Sequence, residues 1–148
     1  MPGNQYPIFS RQGQVSCNNG IATSANIGQT LATATGDYTG VNNQNKIVFT
    51  ADATNGSYLQ RLRFKALGTN VASVARIYVN NGGDQTIAVN NALIGEQTLP
   101  ATTAINTAST IDLDYPMNMA LNPGFRIIVG IATTVAAGWI VTPVGGDY

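Results

Sequence analysis

Alternation of apolar and polar side chains over short segments is the feature that most limits what this chain can fold into. It is clearest between Tyr58 and Asn80, where Gly68, Thr69 and Asn70 separate two alternating segments with turn residues. A period of two residues places successive side chains on opposite faces of an extended strand. The region therefore predicts two neighbouring antiparallel strands at the centre of a sheet.

The first of these two strands is predicted to gather its cations on one face. Strict alternation places Leu59 on the same face as Arg61, Arg63 and Lys65. The opposite face is predicted to carry the remaining side chains, Tyr58, Gln60, Leu62, Phe64 and Ala66. The chain has seven Lys and Arg residues in all, so this strand face concentrates a large share of its positive charge.

The rest of the chain repeats this pattern of short apolar runs separated by turn residues. Pairs such as Asn55-Gly56 favour tight turns between strands. No segment shows the 3.6-residue period of an amphipathic helix. The further predicted strands are 21–25, 29–35, 46–51, 86–89 (a strand or a capping turn), 92–99, 111–115, 125–131 and 139–142.

Short strands at spacings of roughly 8–12 residues are typical of a β-sandwich or barrel. A chain of 148 residues fits one domain. We therefore predict an all-β, single-domain antiparallel β-sandwich at residues 17–148, preceded by an extended N-terminal arm at residues 1–16. Trp139 is predicted to lie in the core, and Cys17 to be a small apolar residue without a disulfide partner.

The predicted arm carries apolar side chains between prolines and glycines. Leaving Ile8 or Phe9 in water costs roughly 1.5–3 kcal/mol for each side chain. The arm is interpreted either as an extended segment that lies on a neighbouring molecule or as a frayed terminus. On the first interpretation, Tyr6, Ile8, Phe9 and Arg11 are candidate partner-binding residues.

Charge is scarce in this sequence. Charged residues make up 9% of the chain and the formal net charge is zero, whereas about 25% is usual. A neutral surface is a poor partner for nucleic acid and lacks the self-repulsion that keeps monomers apart. We therefore expect a member of an assembly that does not bind nucleic acid.

The termini and apolar runs bear on the compartment. No run approaches the roughly 18 apolar residues of a spanning helix, and the N-terminus has no basic segment followed by an apolar run. We expect synthesis in the cytoplasm and no membrane association.

Residue types needed for common catalytic sites are missing. The chain contains no histidine and one cysteine, which excludes histidine-based nucleophilic catalysis and thiolate zinc clusters. Asp112 and Asp114, some 6.5–7 Å apart along a strand by its rise, could act as a glycosidase pair. Calcium binding by loop carboxylates is also conceivable, from Asp37, Asp52 or Asp84. We expect neither, and predict a protein that is not an enzyme and needs no cofactor or metal.

The cations of Arg61, Arg63 and Lys65 have three interpretations. They could form a solvated strand face balanced by Asp112 and Asp114. They could dock an acidic patch on a partner subunit, which makes them candidate partner-binding residues. They could bind an anionic polymer, against which the neutral total charge argues.

Several segments resemble small structural proteins of tailed bacteriophages that are placed on or near the capsid. The resemblance is carried by 68–71, 76–82, 99–102, 121–127 and 133–139, and it covers roughly residues 46–148. It implies a jelly-roll-like sandwich that decorates or cements the capsid lattice, often as trimers at local three-fold positions. It carries over no set of functional residues.

These observations together give two functional expectations. The first is a virion structural protein on the outside of a phage capsid, which binds the major capsid protein and itself, as a homotrimer, and stabilises the lattice through subunit contacts. The alternative is a carbohydrate- or receptor-binding module of a phage head or tail fibre, which predicts an exposed aromatic side chain among Asn and Asp residues.

Overall fold

The computed structural model describes residues 12–14 and 28–148 of the protein. In these residues the regular structure consists of strands and one short 3-10 helix, Ala88–Asn90. The strands are β1 Gln12–Gln14, β2 Gln29–Leu31, β3 Lys46–Thr50, β4 Ser57–Ala66, β5 Ser73–Asn80, β6 Asn91–Leu99, β7 Asp112–Leu121, β8 Arg126–Ile131 and β9 Trp139–Asp147. The strand predicted at 21–25 lies outside the described residues.

The strands form two antiparallel sheets. In the first sheet the order is β1-β9-β4-β7, and β2 also pairs with β9. β1 pairs with the last residues of β9 and β2 with its first residues. The second sheet has the order β3-β8-β5-β6. The predicted all-β antiparallel sandwich is confirmed.

The core lies between the inner faces of the two sheets. The first sheet contributes Trp139, Phe64 and Leu62, and the second contributes Phe49 and Ile77, and all five side chains are fully buried. Packing of apolar side chains between two sheets about 10 Å apart is the usual way to bury strands of this pattern. Trp139 is a core residue, as predicted.

Two strands run through prolines at which the sequence predicted them to end. β7 continues through Pro116, and β9 continues through Pro143. β7 is an edge strand, where a residue without an N–H group is tolerated. Pro143 lies between the part of β9 that pairs with β2 and the part that pairs with β1. Each proline therefore lies in a part of its strand that has a neighbouring strand on one side only.

The structure narrows two other predictions. At 86–89, where a strand or a capping turn was predicted, it has a turn followed by the short 3-10 helix. The carboxylate of Asp84 accepts a hydrogen bond from the backbone N–H of Thr86, which favours the turn. The strand predicted at 29–35 ends at Leu31.

The loop between β2 and β3 covers the outer face of the second sheet. Arg76 and Tyr78 of β5 point to this face and are nevertheless buried. The Tyr78 hydroxyl donates a hydrogen bond to the Asp37 carbonyl oxygen at 2.7 Å, and burial raises the pKa of Tyr78 to about 12. The Asp37 carboxylate in turn accepts hydrogen bonds from the backbone N–H groups of Thr39 and Asn42. The loop is thus fixed to the sheet by polar contacts.

The two sheets are also joined along the flank formed by β6 and β7. Tyr115 of β7 lies over Gly95 of β6, so closely that a Cβ atom at Gly95 would overlap the Tyr115 hydroxyl oxygen. Only a residue without a side chain leaves room for the tyrosine ring.

Gly95→Ala is therefore expected to lower the free energy of unfolding by about 1–3 kcal/mol, the usual cost of overpacking. Chemical denaturation measures the change. Adding Tyr115→Leu to Gly95→Ala should cost less than the sum of the two single substitutions, because the overlapping ring has gone. Additive costs would contradict this account of Gly95.

Candidate functional site

The cationic side chains predicted on β4 lie on the outer face of the first sheet. Arg61, Arg63 and Lys65 are all partly or largely exposed. The neighbouring edge strand β7 places Asp112 and Asp114 beside them, with Arg63 opposite Asp114 and Lys65 opposite Asp112 in the ladder. The other predicted partner-binding residues, Tyr6, Ile8, Phe9 and Arg11, lie outside the described residues.

The predicted alternation of β4 is wrong in its first half. Leu59 is fully buried in the core, while Gln60 and Arg61 both face outward. The register of β4 shifts between Leu59 and Arg61 against both of its neighbours, β7 and β9. A β-bulge at Gln60 inserts one extra residue relative to β9 and so reverses the alternation before it.

Two ion pairs balance most of the charge on this face. Arg63 binds the Asp114 carboxylate through Nε at 2.9 Å and Nη2 at 3.1 Å, a bidentate contact. Lys65 Nζ lies 3.2 Å from Asp112 Oδ1 and donates to the Thr110 carbonyl oxygen at 2.6 Å. Arg61 Nε lies 3.7 Å from Asp114 Oδ1, and this buried nitrogen has no hydrogen-bond partner. The geometry matches a solvated face balanced by carboxylates.

Arg63 holds Asp114 in its charged form. The hydrogen bond from Arg63 lowers the pKa of Asp114. A depressed pKa in the folded state contributes stability above the pKa of the unfolded chain, and this contribution is lost as the pH falls through the folded value.

Arg63→Gln should therefore raise the pKa of Asp114 toward the ordinary aspartate value and remove its share of the acid dependence of stability. Carboxyl 13C NMR titration measures the pKa directly. Lys65→Gln is the matched control, since Lys65 pairs with Asp112, and it should leave the Asp114 titration nearly unchanged. An equal shift in both variants would contradict the assignment to Arg63.

A second surface, at one end of the sandwich, was not predicted. It consists of the loops 67–72, 100–111 and 132–138, which contain no Asp, Glu, Lys or Arg; we call it the neutral end. The three loops are adjacent, because Asn70 pairs with Thr102 and the Leu67 N–H donates to the Gly138 carbonyl oxygen. At the opposite end, an open recess of about 650 Å³ is lined by Asp52, Arg126 and Asp147 among others.

Asn70 joins the loops of the neutral end. Its side chain is buried, and its Oδ1 accepts hydrogen bonds from the N–H groups of Ala137 and Gly138, both at 2.9 Å. Its Nδ2 donates to the carbonyl oxygens of Gly68 and Gly138 and to Thr102 Oγ1. One amide thus satisfies backbone groups of two loops and contacts the third, and this fixes the shape of the neutral end.

Large aliphatic side chains are exposed on these fixed loops. Leu67 is 50% exposed, Val71 57% and Ile105 54%, and Ile111 is also exposed. The 12-residue loop 100–111 is mostly exposed and yet is anchored by Thr102 and by Thr110, whose Oγ1 donates to the Ala66 carbonyl oxygen at 2.8 Å. Exposed apolar groups on ordered, uncharged loops are typical of a protein–protein contact surface.

The sequence did contain a signal for the neutral end. The stretch 101–109 is rich in Ala and Thr and has no strand pattern. A charge count restricted to the turns that follow β4, β6 and β8 would have shown that all of these turns lack charge. That comparison requires knowing that these turns meet at one end, which only the strand order supplies.

The carboxylates considered for catalysis or calcium binding are engaged in other contacts. Asp112 and Asp114 are ion-paired. Asp37, Asp52 and Asp84 accept hydrogen bonds from the backbone of their own loops, and these bonds lower the pKa of Asp52 and of Asp84. Within residues 12–14 and 28–148 there is no cluster of three or more potential metal ligands among His, Cys, Asp and Glu. In the same residues no helix is long and apolar enough to cross a membrane.

Comparison of the chain with protein-family models, with curated proteins and with solved structures finds no match.

Asn70→Ala is expected to lower the free energy of unfolding by about 2–4 kcal/mol, because it leaves buried backbone N–H groups without an acceptor. Urea denaturation followed by Trp139 fluorescence measures the loss. Asn106→Ala, on an exposed residue of the same end, is the control and should change stability little. Equal effects of the two substitutions would show that the Asn70 contacts do not hold the loops.

Proposed function

We propose that this protein is a structural subunit of a phage virion. It binds the outside of the capsid and stabilises the lattice by contacts with the major capsid protein and with copies of itself. The support comes from three sources: the segments that resemble capsid-associated phage proteins, the all-β body, and the presence of a shaped, uncharged contact surface.

We also infer a jelly-roll connection from the strand order. Successive strands from β2 to β9 alternate between the two sheets, except that β5 and β6 are neighbours in one sheet. Eight-stranded double sheets of this kind occur in viral capsid proteins and in lectins. The connection therefore supports both functional candidates equally, and the choice between them depends on the surface.

The neutral end is the observation that carries the proposal. Leu67, Val71 and Ile105 are exposed there on loops that Asn70 holds in place. Lys65 and Asp112, which flank two of its loops in the sequence, form an ion pair with each other. The free-energy cost of desolvating such an uncharged surface is small, and burying its apolar side chains against an apolar partner is favourable. We propose that this end faces the capsid, where a standard-sized contact buries about 1,600 Å².

One observation favours the alternative, a carbohydrate- or receptor-binding module. The Tyr38 ring is 61% exposed, with the Arg76 guanidinium 3.8 Å from its centroid on one side. Asp37 and Thr39 are its polar neighbours in the chain. A fixed, exposed aromatic ring among polar groups can stack on a sugar. Tyr38→Ala should abolish glycan binding if this second function is the correct one, and it should leave capsid binding unchanged if the first is.

Introducing a charge at the neutral end should abolish capsid binding. Leu67→Lys and Ile105→Lys are each expected to reduce occupancy on purified phage heads at least tenfold, because a charge must be desolvated within the contact. Occupancy is measured by co-sedimentation of the purified variant with heads that lack the protein.

Ala53→Lys provides the matched control. Ala53 is exposed on the loop between β3 and β4, at the opposite end of the sandwich, and its substitution should leave occupancy unchanged. Full occupancy by Leu67→Lys and Ile105→Lys would refute the assignment of the neutral end. Failure of the unmodified chain to bind any phage head, together with binding in a glycan array, would favour the alternative function.

A further inference from the structure

The Tyr38 ring is covered on one side and open on the other. The Arg76 guanidinium lies 3.8 Å from the ring centroid, and yet the residue is 61% exposed. With one side covered at this distance, the exposed area belongs mainly to the other face of the ring and to its edges. Tyr38 therefore presents a flat apolar face to solvent, above the outer side of the second sheet.

Contacts around Tyr38 fix the loop that carries the ring. The Asp37 carboxylate accepts a hydrogen bond from the backbone N–H of Thr39, and the Asp37 carbonyl oxygen accepts one from the Tyr78 hydroxyl at 2.7 Å. Arg76 Nη1 donates to the same carbonyl oxygen at 3.3 Å. The loop is thus held on both sides of the ring, so that a ligand that stacks on Tyr38 has little ordering cost to overcome.

A carboxylate next to the ring supplies a hydrogen-bond acceptor. Glu96 of β6 lies opposite Arg76 in the ladder, and its Oε1 accepts a hydrogen bond from Arg76 Nε at 3.1 Å. Because Tyr38 and Glu96 contact the same guanidinium, they are neighbours on the surface. The Glu96 side chain is 44% exposed, whereas that of Arg76 is 10% exposed. A carboxylate has about four lone-pair sites, so Glu96 retains the capacity to accept hydrogen bonds from a ligand.

The charges at this place favour one class of ligand. A cation is attracted by the negative potential of an aromatic face, but Arg76 already draws on that potential from the covered side of Tyr38. An acidic ligand would be repelled by the exposed carboxylate of Glu96. A neutral sugar avoids both penalties, because the C–H face of its ring stacks by apolar contact and its hydroxyl groups can donate to a carboxylate.

We propose that Tyr38 and Glu96 form a binding site for a neutral saccharide. A pyranose ring stacks on the open face of Tyr38, and its hydroxyl groups donate to Glu96. This inference rests on the second candidate function and names the ligand class for it. Arg76 and Glu96 lie within their strands, so the saccharide site shares no residue with the neutral end. One chain can therefore use both surfaces at once.

Isothermal titration of the full-length chain tests the site and its specificity. The probes are neutral oligosaccharides of glucose, galactose, mannose and N-acetylglucosamine, the same oligosaccharides carrying a uronic or sialic acid, and a tri-lysine peptide. The unmodified chain should bind at least one neutral oligosaccharide, and should bind its acidic form and the peptide more weakly.

Substitutions assign the binding to the two residues. Tyr38→Ala should abolish it, and Glu96→Gln should weaken it by roughly tenfold, because a charged acceptor becomes a neutral one. Tyr58→Ala, on a partly exposed tyrosine of β4, is the control for the ring. Asp112→Asn, on an exposed and ion-paired carboxylate of the other sheet, is the control for the charge, and both controls should bind normally. Near-UV circular dichroism establishes that each variant is folded.

The possible failures of this proposal are distinguishable from one another. Preferential binding of acidic saccharides that Tyr38→Ala removes would leave the carbohydrate-binding function standing and overturn the ligand class. An unmodified chain that binds no saccharide, or binding that Tyr38→Ala leaves unchanged, would overturn both. Stronger binding of the tri-lysine peptide than of any saccharide would overturn the proposal in favour of a basic partner. Because the titrations use no phage heads, their results are independent of the proposed capsid contact.

Discussion

Burial of the inner faces of two sheets is the constraint on which the rest of this structure depends. Trp139, Phe64 and Phe49 and their aliphatic neighbours are fully removed from water, and each large side chain contributes about 1.5–3 kcal/mol by burial. This core fixes which residues face outward, and so fixes the composition of the exposed surfaces. The β-bulge at Gln60 shows that burial of the core takes precedence over regular strand pairing. It interrupts the pairing of β4 with β9, and as a result Leu59 and Leu62 both lie in the core.

Uncharged polar groups do in this protein much of what ion pairs do in others. Asn70 connects three loops, and Asn91 Nδ2 donates to the Gln85 carbonyl oxygen in the loop that follows β5. A buried amide that satisfies several backbone groups avoids the desolvation cost of a buried ion. Consequently the loops of the neutral end are fixed by hydrogen bonds although they contain no charged side chain. That combination leaves an apolar surface with a defined shape, which suits a permanent contact better than one guided by charge.

The sequence predicted the parts of the fold that follow from local pattern. Alternation identified β4, β5, β8 and the first half of β7, and turn residues separated them correctly. What it missed depends on the position of a strand in its sheet. Pro116 and Pro143 end strands in isolation, but an edge strand and a gap between two partners accept them. The β-bulge at Gln60 was likewise not predicted. The sequence of β4 is compatible both with strict alternation and with a bulge, because either arrangement leaves Leu62 and Phe64 on one face.

The cationic face of β4 and the neutral end differ in how much of each could be predicted from the sequence. The cations of β4 stand within five residues of one another, so their clustering is local, whereas their pairing with Asp112 and Asp114 requires β7 to lie beside β4. The neutral end has no motif, because it is defined by the lack of charge in three loops. The sequence shows that each loop is uncharged, but only the strand order shows that the three loops meet at one end.

The position of the neutral end determines how copies of this chain could use it together. It lies beyond the ends of β4, β6 and β8, so it faces along the strand direction. If copies associate side by side with their strands parallel to a common axis, every neutral end would face the same way. Binding at one copy would then raise the effective concentration of the others, so that weak individual contacts would give a stable attachment.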